Sequence, residues 1–292
     1  MTTTSAPAPQ LTAQEPHAAV PQRIILRPKA GWQALDLAEL WHYRELLWIL
    51  ALRDIKVRYK QTALGAAWAI IQPFLTMLVF TVFFAGYGKL PTDGVPPQVF
   101  YFCGLLPWQL FANSLTNAGN SLVGNQNLIT KVYFPRLVMP ASAVITGLVD
   151  FAIAFVVMLG LMAWYHVMPG WQIIFMPVFV LLAFFAALAV GLWFSALNVE
   201  FRDVRYVLPF LTQFWLFVTP IVYPSSIVTS PWKRMLLGIN PMSGVVEGFR
   251  WSMLGRPTPG PLLAVSIATI GITLVGGLFY FRRMEKTFAD RV

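Results

Sequence analysis

The chain has 292 residues, of which 57% are hydrophobic and only 11% charged, and its mean hydropathy is +0.64. That balance excludes a soluble globular domain and points to a polytopic membrane protein. The net charge of +9 is read through topology, because Lys and Arg gather in loops that stay on the cytoplasmic side, and no nucleic-acid motif competes with that explanation.

Residues 1–22 are rich in Ala, Pro, Thr and Gln. They lack the basic start and apolar core of a cleavable signal peptide, so they read as a disordered tail. Residues 23–60 form a cytoplasmic or interfacial region. Leu37, Leu40, Trp41, Leu46, Leu47, Trp48 and Leu50 accompany Asp36, Glu39, Arg44 and Glu45 there, the pattern of an amphipathic helix lying at the headgroup boundary. The apolar piece 46–52 is too short to cross, and Arg53, Lys56, Arg58 and Lys60 make a basic approach to the membrane. Leu37, Leu40 and Trp41 act either as an anchor or as a gate that admits substrate.

A helix needs about 20 apolar residues to cross the hydrocarbon core. On that measure residues 61–292 hold six crossings: 66–87, 99–123, 138–164, 172–197, 206–222 and 261–281. Cys103 lies in the second and has no partner for an internal disulfide, so packing must hold the fold. Gln109, Asn113, Asn117 and Asn120 recur there at helical spacing and share one face. Either hydrogen bonds to a neighbouring helix or an aqueous, sugar-lined pathway would satisfy those amides. The third crossing carries one carboxylate, Asp150, which is costly to expose to lipid and should face protein or water.

Between crossings two and three lies the stretch 127–139, where Lys131 and Arg136 flank Tyr133 and Phe134, and Pro135 stops the segment from continuing as one helix. It reads either as a docking element on the cytoplasmic side or as a basic loop that holds orientation. Between crossings five and six, residues 223–260 are too apolar for a free loop. Two short re-entrant helices in the outer leaflet fit, with Asn240-Pro241 as the break between them. Glu247 and Arg250, three apart, can pair on one helical face, and Gly244 and Gly248 give a weak packing signal. Counting Lys and Arg on the two sides puts 16 of 21 with the termini and the loops after crossings two and four, which assigns both termini to the cytoplasm.

Four stretches together resemble the transmembrane subunit of type 2 ABC exporters for polysaccharides, the group that exports O-antigen and teichoic acid. They are Arg53-Asp54-Ile55-Lys56-Val57-Arg58-Tyr59-Lys60-Gln61-Thr62 running on through Trp68 to Gln72-Pro73; Leu106-Pro107-Trp108; Lys131-Val132-Tyr133-Phe134-Pro135-Arg136; and Asn240-Pro241-Met242 with Glu247-Gly248-Phe249-Arg250-Trp251. The resemblance implies an all-α integral membrane protein with six transmembrane helices per subunit, in the cytoplasmic (inner) membrane of a bacterium. It further implies a homodimer joined to two copies of a separate ABC ATPase, exporting a lipid-linked polysaccharide such as O-antigen. Lys131, Tyr133, Phe134, Pro135 and Arg136 would then press into the ATPase.

The chain contains no Gly-x-x-x-x-Gly-Lys-Ser/Thr phosphate loop, since Gly86-Tyr87-Gly88-Lys89 has neither that spacing nor a following hydroxyl. ATP and magnesium are therefore expected on the partner, with no catalytic residue, metal site or cofactor in this chain. Two other classes compete with glycan export. One is a type 2 ABC exporter of a small hydrophobic substrate or drug. The other is an enzyme or secondary transporter working without an ATPase, which would need clustered carboxylates or histidines at membrane depth; the chain offers Asp150 and the dispersed His17, His42 and His166.

Overall fold

Long charge-free runs of Leu, Phe, Val and Ala fold into helices, because only a helix satisfies its backbone within one apolar segment. The computed structural model describes residues 41–60, 65–256 and 258–288, without the side chains of 65 and 66, and no strand occurs among them. The chain divides into Met1–Ala34 and Leu35–Val292, and the first unit, the 1–22 tail included, lies outside the described residues, as do Leu37 and Leu40. In chain order the helices are α1 (Arg44–Lys60), α2 (Gly65–Phe80), α3 (Pro97–Gly124), α4 (Gln126–Lys131), α5 (Val138–Trp164), α6 (Met176–Glu200), α7 (Val204–Val218), α8 (Pro231–Leu237), α9 (Pro241–Leu254) and α10 (Pro261–Glu285). A π-helical turn, Thr81–Tyr87, prolongs α2, and a 3-10 turn, Trp171–Phe175, leads into α6.

Among the described residues, four stretches are long and apolar enough to cross a membrane: Ala67–Tyr87, Val138–Trp164, Trp171–Glu200 and Pro261–Glu285. They coincide closely with expected crossings one, three, four and six. Helix α3 has 28 residues, about 42 Å of helix, but its amide-bearing half lowers its hydropathy. Helix α7 is shorter than the expected 206–222. It stops at Val218 because Pro220 pushes the preceding Thr219 out of helical conformation (φ −83°, ψ 140°). Its 15 residues measure about 22 Å.

Helix α3 is the hub. It packs on α5, α6, α9, α2 and α7, and every residue of its first half from Val99 to Trp108 is buried. Small residues let α3 and α6 approach: a Cβ on Gly191 would sit 2.9 Å from that of Ala118. There the amide of Asn198 donates to the Gly119 carbonyl (2.9 Å) and to Asn120 Oδ1 (3.0 Å), which locks the two helices together. Helix α10 lies along α6, where Trp193 stacks on Tyr280 with ring centroids 4.9 Å apart. Helix α1 packs chiefly on α5.

The segment before α10 folds as two short helices, α8 and α9. Asn240 marks the break between them, its side chain accepting the Met242 N–H (3.1 Å) as an N-cap while Pro241 opens α9. Gly244 and Gly248 both serve close packing, the first against Ser266 and Leu263 of α10, the second against the Phe179 ring of α6. A Cβ on Gly248 would fall 1.9 Å from Phe179 Cε1. Gly248→Ala is therefore expected to cost about 1–3 kcal/mol through overpacking, and a melting temperature equal to wild type would show that the ring can move aside freely.

Candidate functional site

The amide face of α3 lines two cavities, and its last member, Asn120, also meets a neighbouring helix. Gln109 and Asn113 line a small pocket of about 40 Å³ together with Arg58, Trp68, Gln72 and Asp150. Asn117 and Asn120 line a larger cleft of about 480 Å³ with Asp54, Arg58, Asn125 and Thr146. Arg58 belongs to both walls. Of the four amides only Asn120 bonds across helices, to Asn198, and it also holds the Thr116 carbonyl of its own helix (2.9 Å). Gln109, Asn113 and Asn117 make no hydrogen bond among the described residues. Helix–helix bonding thus accounts for one amide, and three point at space where a polar guest would find donors and acceptors.

Asp150, 7% exposed, lines the smaller pocket. Neighbouring residues of α1 converge on its carboxylate. The Arg58 guanidinium pairs with it at 2.7 Å, and the Tyr59 hydroxyl donates to its other oxygen. Burial, and then the bond to Asp150, raises the Tyr59 pKa above the ordinary phenol range, so the hydroxyl keeps its proton and continues to donate. One carboxylate at mid-α5 therefore pins the end of α1 and closes the cavity wall. Asp150→Ala is expected to cost about 1–2 kcal/mol, tempered by the partial exposure of Arg58. Thermal melting of the purified variant checks this, and no change would mean that α1 is held by apolar packing alone.

At the opposite end, Arg250 of α9 is 1% exposed. Its guanidinium donates to the carbonyls of Pro220 (2.7 Å) and Ile221 (2.6 Å), pairs with Glu247 at 3.2 Å, and lies 3.7 Å from the centre of the Phe100 ring. Gly104 leaves the room, since a Cβ there would meet Nη2 at 2.7 Å. Glu247 in turn accepts from the backbone N–H (3.2 Å) and hydroxyl (3.0 Å) of Ser225. The pair expected from its spacing is thus formed and reaches further, fastening α9 to the chain that leaves α7.

The stretch 131–136 divides between surface and core. Lys131, Val132 and Tyr133 are exposed, Tyr133 at 71%. Phe134 (5% exposed) and Pro135 turn inward, Phe134 entering an apolar cluster with Ile129, Leu137, Phe281 and Phe288. Arg136 holds the end of α10: its backbone N–H donates to Glu285 Oε1 (2.9 Å) and its guanidinium to the Glu285 carbonyl. Phe134, Pro135 and Arg136 therefore shape and brace the segment, whereas Lys131 and Tyr133 face outward. Trp41, the described member of the N-terminal trio, is exposed.

Sequence reasoning missed three participants. Arg53 ties Asp54 (2.8 Å) to Asn125 (2.8 Å), both of which line the larger cleft, Asn198 clamps α3 to α6, and Ser225 donates to Glu247. A lone Asn in the apolar run of α6 was a signal available for the second, because a buried amide in a membrane helix needs a partner.

The sequence has known relatives. The profile of the family described as "ABC-2 type transporter" matches residues 45–254. The chain is 32% identical over 257 residues to the O-antigen export system permease protein RfbA of Myxococcus xanthus, covering 87% of this chain and 98% of that protein. It is 27% identical over 247 residues to a protein of the same name from Klebsiella pneumoniae, covering 84% and 94% respectively. It is 27% identical over 245 residues to the polysialic acid transport protein KpsM of Escherichia coli, covering 81% and 92%. With the helical hub, the apolar spans and this coverage in hand, the chain belongs to the ABC-2 type transporter family.

Proposed function

We propose that the chain is the permease subunit of an ABC exporter that carries a lipid-linked polysaccharide across the bacterial cytoplasmic membrane, driven by ATP hydrolysis on a separate subunit. The observation that carries this reading is the row Gln109, Asn113 and Asn117, three amides that make no hydrogen bond among the described residues and line two polar cavities inside an apolar helix assembly. A small hydrophobic cargo would gain nothing from such a wall, because each amide would lose water without replacing its hydrogen bonds. Relatives named for O-antigen export and polysialic acid transport point the same way.

In the full assembly α3 and α7 complete six spans, with both termini in the cytoplasm and α8 and α9 re-entrant from the outer face. The subunit works as a homodimer with two copies of the ATPase, which would bind the ATP and magnesium. Tyr206, Phe210, Phe214 and Phe217 form an exposed aromatic ridge along α7, a surface suited to a second copy or to the lumen between two copies. Lys131 and Tyr133 make the outward contact with the ATPase. Trp41 and the residues before it lie at the inner leaflet, where they help admit the lipid-borne head.

The decisive experiment purifies the chain in mild detergent with the ATPase encoded beside its gene and asks where the glycan goes when the chain is deleted. A two-plus-two complex, and polymer retained inside the deletion strain, are expected. If the complex forms but glycan still reaches the surface, a small hydrophobic cargo replaces the polysaccharide, and if no ATPase associates, the energised-export reading falls.

A further inference from the structure

We infer that Arg53 and Asn125 are positioning residues that join the ATPase-facing segment to α1, so that displacement of that segment swings α1 and opens the larger cleft, which α1 walls on one side. The inference rests on the export reading above and deepens it to the residues that carry the motion. Asn125 is the corner between two helices, since α3 ends at Gly124 and α4 begins at Gln126. Its carbonyl accepts the N–H groups of Leu128 (2.9 Å) and Ile129 (3.2 Å) and so opens α4, while its side-chain amide donates to the Ser121 carbonyl (2.8 Å) and stays fixed to α3. The side-chain oxygen accepts from the Arg53 guanidinium (2.8 Å), a bond across 72 residues of sequence that ties α1 to the corner. The same guanidinium holds Asp54 (2.8 Å), which lines the cleft.

Both ends of this linkage are defined. Beyond α4 the chain is braced, with Phe134 in its apolar cluster and Arg136 on Glu285, whereas Gln126, Asn127, Thr130 and Lys131 of α4 are exposed. A partner pressing on that exposed face moves α4 against its far anchor, and the motion emerges at Asn125, about 9 Å of helix before Lys131. On α1, the neighbours Arg58 and Tyr59 are held to Asp150 of α5. Helix α1 thus has an anchored end at Asp150 and a driven end at Arg53, the arrangement of a hinged wall. The facing walls, with Asn117 and Ser121 on α3 and Ala143 and Thr146 on α5, belong to helices packed closely on each other, so α1 is the wall most easily displaced. Arg53 is partly exposed, so its bond to Asn125 adds little to stability, yet a charge-assisted bond of this length biases where α1 lies.

The test places a reporter thiol in the cleft and reads its accessibility in the complex with the ATPase, with no glycan needed. Cys103 is buried and Thr146 is 4% exposed, so Thr146→Cys supplies a thiol whose labelling by a membrane-impermeant maleimide reports opening. ATP is expected to accelerate that labelling about tenfold, and Arg53→Ala or Asn125→Ala in the same background should reduce the acceleration to about twofold while the complex still assembles. The two together should do no more than either alone, because they remove one shared bond. Asn125→Asp keeps the acceptor for Arg53 but loses the bond to Ser121, so it should restore the response, which a purely structural role at the end of α3 would not. Undiminished acceleration in the single variants, additive losses in the double variant, no recovery with Asn125→Asp, or no ATP response in the Thr146→Cys parent each overturns the linkage while leaving export standing. Failure of the ATPase to associate removes the export reading and the linkage together.

Discussion

Replacing Arg250 by Ala should lower the stability of the folded chain by about 3–5 kcal/mol, the usual result of removing one partner from a buried ion pair. The loss has three parts that act in the same direction. Glu247 keeps its charge but loses the guanidinium at 3.2 Å, the carbonyls of Pro220 and Ile221 lose the donors that satisfy them at 2.7 and 2.6 Å, and a cavity opens beneath Phe100. For a chain of this size the melting temperature would fall by roughly 10 °C, measurable by size-exclusion survival after heating. Arg250→Lys keeps the charge but not the planar fork that reaches two carbonyls at once, so it should recover only part of the difference. If Arg250→Ala melts with wild type, the fastening of α9 to the end of α7 is not what holds this end together. Glu247→Ala gives the complementary test, since it strands Arg250 and releases Ser225.

The stretch 131–136 supports a paired prediction that separates bracing from contact. Phe134→Ala empties a site in the cluster formed with Ile129, Leu137, Phe281 and Phe288, and should cost about 3 kcal/mol of stability. Tyr133→Ala, at an exposed neighbouring position, should leave melting unchanged yet weaken ATPase association and the coupling of hydrolysis to export by about tenfold, as expected for loss of an interface aromatic. Equal loss of stability in both variants would mean that Tyr133 belongs to the core. Full export with Tyr133→Ala would remove it from the contact. Arg136→Glu is the less selective probe, because the new carboxylate would face Glu285 and unfasten the end of α10 before any partner is met.

Much of this arrangement was legible one residue at a time. Charge-free runs of sufficient length mark the four strongly apolar spans, since no other local structure satisfies a backbone in lipid. The four-residue recurrence of Gln109, Asn113 and Asn117 places them on one face, and Asn240-Pro241 marks a helix start, for reasons internal to a single helix. The early end of α7 is also written in the chain, at Pro220, a local signal that hydropathy does not register.

What each face meets was decided elsewhere. Asp150 finds Arg58 and Tyr59 about 91 residues earlier, Arg250 finds carbonyls about 30 residues earlier, and Arg136 finds Glu285 149 residues later. Periodicity states which side chains share a helix face but carries no information on which other helix that face will oppose. Partners across helices are set by the joint packing of α1, α3, α5, α9 and α10. The sequence by itself therefore determined a helical membrane protein with a polar stripe and a helix break at Asn240-Pro241. Only the tertiary structure decided that the stripe lines open space, that Phe134 is an anchor, and that two buried charges fasten the two ends, because burial and charge pairing are properties of neighbours that the chain brings together from a distance.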